Sequence, residues 1–295
     1  MDHGQELMRI GPELIPTFRR IISEIINKKE IAGFNVSTSG ISINTPMRSL
    51  SHMLLDVHSG LISINSEVKL NVQGEPMFFV DLDGTIIDNV YADGIFPEYI
   101  SGLRKSGLDE AKLYDLIWTE HRRLLCSSLP ESFDWEGIFK GLAHKLNVDL
   151  GIELKYIQEK YYQEPFIRTL NGAPELLKAL NELGPVYVST NGFMKYQRPV
   201  LKALGLDVYF KDILTPDRSG YIKSDKRFYG KLIDDGHIAV NIGDDYLYDV
   251  LSPKLLGSLA IWAYAMARLP RRSIMMLPDL MVSRLQDIPR LIRTS

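Results

Sequence analysis

Residues 77–85 read Met77-Phe78-Phe79-Val80-Asp81-Leu82-Asp83-Gly84-Thr85. The first four are a short apolar run, the pattern of a buried strand. The run ends in two carboxylates, Asp81 and Asp83, and then Gly84, a residue that turns at little steric cost. Two like charges this close repel unless a cation or a proton sits between them. A strand end that carries both at the rim of a sheet is a candidate site for Mg²⁺ and phosphoryl transfer. The plainer reading is a capped turn, because Asp and Gly are ordinary turn residues. The rest of the chain decides between the two.

From residue 77 onward, short apolar runs alternate with amphipathic helical patterns. The runs fall at 77–80, 186–190, 208–214, 238–242 and 259–263, and the helical patterns at 174–183, 195–204, 226–233 and 246–256. Within 174–183, Leu176, Leu177, Leu180 and Leu183 give the one-sided spacing of a helix. This alternation predicts an α/β fold, a Rossmann-like parallel sheet with helices on both faces. One gap breaks the rhythm. Between Asp88 and Leu170 no strand is evident, and Leu113, Leu116, Ile117 and Trp118, then Ile138, Phe139, Leu142 and Leu146, recur at helical spacing. The segment reads as an all-helical insertion after the first sheet strand, placed to act as a lid.

The first 75 residues differ. An amphipathic helix is expected over 12–29, followed by alternating stretches at Phe34/Val36, Ile41/Ile43, Ile62/Ile64 and Val68/Leu70/Val72. This is a small α+β extension with no catalytic constellation.

Composition narrows the classes of function. With 45% hydrophobic and 24% charged residues, the 295-residue chain has the balance of a soluble globular protein. A formal net charge of −3 offers no basic field for nucleic acid or anionic lipid, so neither is an expected partner. One cysteine, Cys126, cannot form an intrachain disulfide and fits a reducing compartment. The run over 255–267 is broken by Gly257 and Ser258 and is short of the ~18 apolar residues that span a bilayer. The N-terminus lacks the apolar core of a signal peptide. A cytoplasmic location is the expectation.

Open α/β sheets bind ligands at the carboxyl ends of their strands. The first strand end gives Asp81 and Asp83, the second Thr190, Asn191 and Gly192. The loop after the third carries Lys223, and the fourth ends in Gly243, Asp244 and Asp245, with Asp249 beyond. The pattern resembles the haloacid dehalogenase superfamily over 77–292, with all four family motifs in family order. Asp81-Leu82-Asp83-Gly84-Thr85 is similar to the first motif, Thr190-Asn191 to the second, Lys223 to the third, and Asp244 with Asp249 to the fourth. The stretch Asn171-Gly172-Ala173-Pro174-Glu175-Leu176-Leu177 resembles the family's entry into the helix before the second motif. The insertion matches the family's C1-type cap. The resemblance divides the chain into an extension (1–75), a core (76–88 and 171–295) and a helical cap (89–170). Ser224 stands where many relatives have proline, and Asp245 where a small hydroxyl residue is frequent.

The resemblance implies a Mg²⁺-dependent phosphatase acting on a small phosphorylated metabolite through an aspartyl-phosphate. Asp81 would be the nucleophile and Asp83 the general acid and base. Thr190, Asn191 and Lys223 would grip the phosphoryl group. Asp81, Asp244 and the Asp83 carbonyl would ligate the metal, with Asp249 acting through water or orienting Asp244; Asp245 could substitute for it. A phosphomutase shares the first half-reaction, and Lys105, Lys112, Lys140 or Lys145 would serve the Schiff base of a phosphonate hydrolase. A dehalogenase lacks the carboxylate that Asp83 supplies. A non-catalytic binding module is the reading from another class, and the intact carboxylate set counts against it. His121, Arg122, Arg123, Trp135 and His144 are candidate substrate contacts in the cap. Oligomeric state is not legible in the sequence.

Overall fold

The computed structural model describes residues 74–88, 91–233, 236–263, 278–282 and 284–294, together with six short N-terminal strands. These are β1 (Glu6–Arg9), β2 (Phe34–Ser37), β3 (Gly40–Ile43), β4 (Met53–Asp56), β5 (Leu61–Ile64) and β6 (Leu70–Val72). The chain forms two compact units, Met1–Met77 with His237–Ser295, and Phe78–Gly236.

β1 to β5 make an antiparallel sheet in the order β1-β5-β4-β3-β2. The alternating stretches at Phe34/Val36, Ile41/Ile43 and Ile62/Ile64 fall on β2, β3 and β5. The expected helix over 12–29 lies outside the described residues.

Six further strands form the parallel sheet: β7 (Pro76–Val80), β8 (Val186–Ser189), β9 (Asp212–Leu214), β10 (Ile238–Gly243), β11 (Leu259–Ala263) and β12 (Leu280–Val282). β7 pairs with β8 and β8 with β9; β10 pairs with β11 and β11 with β12, all parallel. All five residues of β7 are buried, as expected of a strand covered on both faces. The architecture is the expected α/β Rossmann-like one. Strand β13 (Ile292–Thr294) lies outside this sheet and pairs in parallel with β6, aligning Ile292 with Leu70 and Thr294 with Val72.

The insertion is helical, as its periodicity predicts: α1 (Phe96–Leu103), α2 (Glu110–Cys126), α3 (Trp135–Lys145) and α4 (Leu154–Tyr161). Its helices share an aromatic core in which Phe139 stacks on Tyr99 and meets Phe96 edge-on, with ring centroids 5.0 and 5.4 Å away. The chain leaves and returns at one neck. There the Asp88 N–H donates to the Arg168 carbonyl (3.0 Å) and the Leu170 N–H to the Ile86 carbonyl (2.8 Å). After the neck, α5 (Ala173–Leu183) buries Leu176, Leu177 and Leu180, and α6 (Met194–Ala203) buries Tyr196, Gln197, Val200 and Leu201.

Three elements depart from the sequence reading. Only Asp212–Leu214 of the run over 208–214 forms a strand, because 207–209 closes into a 3₁₀ turn that leaves Val208 79% exposed. The helix over 226–233 is Lys226–Tyr229 followed by a tighter turn. The helix over 246–256 begins as a wide π turn, Tyr246–Leu251, and becomes α-helical at Ser252–Leu255. β12 carried no signal, because three residues are too few to display a period.

Candidate active site

In the Phe78–Gly236 unit, Asp81 follows directly on β7. Lys223 is 2% exposed, and its Nζ donates to Asp81 Oδ1 at 2.9 Å. The Thr85 hydroxyl donates to Asp81 Oδ2 at 3.3 Å. Both carboxylate oxygens of Asp81 are thus held in fixed directions. The backbone N–H of Lys223 donates to Asn191 Oδ1 at 2.9 Å, which turns the amide nitrogen of Asn191 away as the end able to donate. Thr190 Oγ1 accepts from the Gly192 N–H at 3.0 Å, so its own hydrogen is available to another acceptor. The ends of β7 and β8 and the loop after β9 therefore meet, as the sequence predicts.

Asp83 lies two residues beyond Asp81, in a turn that Gly84 closes at φ 86°, a conformation costly for other residues. The Gly84 N–H donates to the Ile87 carbonyl at 2.9 Å. Asp83 Oδ2 accepts from Gln197 Nε2 at 2.5 Å, while Oδ1 is buried and accepts no hydrogen bond. Burial first, and the Asp81 charge second, push the Asp83 carboxyl up to about 7. Gln197 and Thr190 thus share one polar cluster with Asp83, and Tyr91 joins it from the start of the insertion. The sequence reading missed Gln197 and Tyr91. A lone glutamine on a helix gives no signal until its burial is known.

In the other unit, Asp244 and Asp245 follow β10. Asp245 is exposed, and its Oδ1 caps the following turn by accepting from the Leu247 and Tyr248 N–H groups at 2.8 and 3.0 Å. Asp249 is 1% exposed, and its Oδ2 accepts from the Asp245 N–H at 2.9 Å. The Trp262 Nε1–H donates to the Asp244 carbonyl at 2.9 Å. These contacts commit the Asp245 side chain to the backbone and make Asp249 the buried acid of this loop.

Of the insertion's candidate contacts, His121, Arg122, Arg123 and Trp135 are engaged within the insertion itself. His121 stacks on Trp135 at 4.8 Å and its Nδ1 lies 2.6 Å from the Ser132 carbonyl; burial lowers its pKa. Arg123 pairs with Glu120, Arg122 donates to Thr119, and His144 is exposed. Lys140 and Lys145 pair with Glu136 and Glu120, and Lys105 donates to the Asp149 carbonyl.

In the Phe78–Gly236 unit, a carboxylate at a strand end is paired with a buried lysine. A profile of the haloacid dehalogenase-like hydrolases matches residues 77–254, more than half of the chain. The chain belongs to this family. Among its relatives, the human haloacid dehalogenase-like hydrolase domain-containing protein 3 is 28% identical over 94 residues, which span 30% of this chain and 38% of that protein. The chain therefore aligns with well under half the length of this curated relative. Solved structures share the fold. A HAD phosphatase from Thermococcus onnurineus superposes with a TM-score of 0.57 at 23% identity, over 74% of this chain and 96% of that one. A 2-haloacid dehalogenase from Pseudomonas syringae pv. Tomato gives 0.52 at 20%, over 73% and 97%. As phosphatases and dehalogenases share this fold, the chemistry of this family member rests on its side chains.

Proposed function

We propose that this hydrolase is a metal-dependent phosphatase that cleaves a small phosphorylated metabolite through an aspartyl-phosphate. The observation that carries the reading is the geometry of two carboxylates: Asp83 is held through Oδ2 by Gln197 with Oδ1 accepting no hydrogen bond, two residues from a lysine-paired Asp81. Substitution at phosphorus needs a proton donor for the leaving oxygen and a base for water, and a group with a pKa near 7 serves both.

Asp81 attacks phosphorus while the P–O bond to the leaving group breaks. Asp83 gives its proton to the departing oxygen, which leaves as an alcohol. The resulting Asp83 carboxylate then takes a proton from the water that attacks the aspartyl-phosphate. Inorganic phosphate is released, and both carboxyl groups return to their starting states. Lys223 offsets the negative charge that gathers on the phosphoryl oxygens, and the Thr190 hydroxyl and Asn191 amide donate to them.

The family resemblance assigns the cation to Asp81, Asp244 and Asp249. An all-oxygen donor set, with Asp249 already buried and oriented by the Asp245 N–H, fits a hard ion such as Mg²⁺. Such an ion, when bound, neutralises part of the charge that the phosphate brings to these carboxylates. The helical insertion is the proposed cap. Of the lysines that a phosphonate-type Schiff base would use, Lys140 is ion-paired with Glu136 and Lys145 with Glu120.

The test is turnover of p-nitrophenyl phosphate, then of a panel of phosphorylated metabolites, with Mg²⁺ and with EDTA. Hydrolysis that EDTA abolishes and Mg²⁺ restores is expected. Full activity without metal, or none towards any phosphate ester, would overturn the reading.

A further inference from the structure

Gln197 is fully buried on α6, yet its amide nitrogen faces three polar side chains. Nε2 lies 2.5 Å from Asp83 Oδ2, 3.1 Å from Tyr91 Oη and 3.4 Å from Thr190 Oγ1. The loop after β8 is shaped around it. A Cβ built on Gly192 would come within 2.0 Å of Nε2, a distance that no packed pair of atoms tolerates.

We propose that Gln197 is a positioning residue that fixes the Asp83 carboxyl and directs its proton to Oδ1. This rests on the phosphatase reading above. An amide N–H only donates, so the oxygen it meets must accept. With Oδ2 so engaged, the acid form of Asp83 carries its hydrogen on Oδ1, the oxygen that is buried and accepts no hydrogen bond. One oxygen is therefore anchored, and the other is the one that gives a proton to the leaving group and later takes one from water. Neutral Gln suits the task. A glutamate of the same length would set a second carboxylate against Asp83, and a methionine would offer no donor.

The test is a leaving-group series, measured as kcat/KM with Mg²⁺ for phenyl, p-nitrophenyl and 2,4-dinitrophenyl phosphate. A poor leaving group needs Asp83's proton as its bond breaks, whereas a dinitrophenolate departs without it. Gln197→Met is expected to lose about 100-fold on phenyl phosphate but no more than about threefold on the dinitrophenyl ester, on the scale of general acid catalysis. Gly192→Ala, which pushes Gln197 aside without altering it, is the second variant and should show the same steepened dependence. Both are checked for folding by their melting curves. A loss equal across the three esters in a folded variant would overturn the role of Gln197 and leave the phosphatase reading standing. A wild-type protein that cleaves none of the esters would overturn the phosphatase reading itself, and this role with it.

Discussion

The Asp81–Lys223 pair is where charge matters most, because the lysine is 2% exposed and its removal takes a buried cation from beside the Asp81 carboxylate. Breaking a buried pair on one side typically costs about 3–5 kcal/mol. Lys223→Met should therefore lower stability to denaturant by roughly that amount and reduce kcat by about 10²- to 10³-fold, the scale for loss of one charge-stabilising donor. Asp83 behaves in the opposite sense. Its carboxyl, ordinarily ionised near pH 3.8, is pushed up to about 7. The folded chain thus holds a proton that the unfolded chain releases between those values, and this group's contribution to stability falls as pH rises through that window. In metal-free buffer, Asp83→Asn should match wild type near pH 4 and exceed it at pH 8, with a ceiling of about 4 kcal/mol from three units at ~1.4 each. Denaturant melts at the two pH values check the sign. The two carboxylates were legible in the sequence because they end an apolar strand. Gln197 was not, because its meaning depends on burial and on a contact across 114 positions.

At the scale of elements, strands that end in chemistry announced themselves, since a run such as 77–80 is both apolar and punctuated. Short or irregular pieces did not. β12 spans three residues, and the π turn at Tyr246–Leu251 has no periodicity of its own. That turn nevertheless favours Asp249 over Asp245 as the proposed second acid of the metal site. Asp245 spends its side chain on the Leu247 and Tyr248 N–H groups, while Asp249 is buried beneath the loop. Isothermal titration with Mg²⁺ should rank the loop's variants. Asp245→Asn is expected to stay close to wild type, Asp249→Asn to lose about 10- to 100-fold in affinity as an orienting residue does, and Asp244→Asn to lose more. Weaker binding in Asp245→Asn than in Asp249→Asn would show that the assignment is reversed.

For the whole molecule, the division into an extension over 1–75, a core and a cap stays a proposal, and so does the extension's accessory role; the compact units group Met1–Met77 with His237–Ser295. Part of it is tied to the C-terminus: β6 pairs with β13, and Leu70 and Val72 are at most 1% exposed. Such a pairing joins residues more than 200 positions apart, which no local pattern reveals. A protein lacking residues 1–75 loses that strand, so its melting temperature should fall while a folded fraction keeps Mg²⁺-dependent hydrolysis; calorimetry with an activity assay checks both. The alternation of strands and helices, by contrast, was legible over most of the parallel sheet, because β7, β8, β10 and β11 run to four residues or more and the three-residue β9 lies within the longer apolar run over 208–214. The central claim is that Asp81 carries the phosphoryl group during turnover. It is tested most directly by acid-quenching the protein during hydrolysis of p-nitrophenyl phosphate and locating covalent phosphate by peptide mass spectrometry. Phosphate on Asp81, absent in Asp81→Asn, is the result the account predicts. Phosphate on another residue, or wild-type kcat in Asp81→Asn, would contradict it.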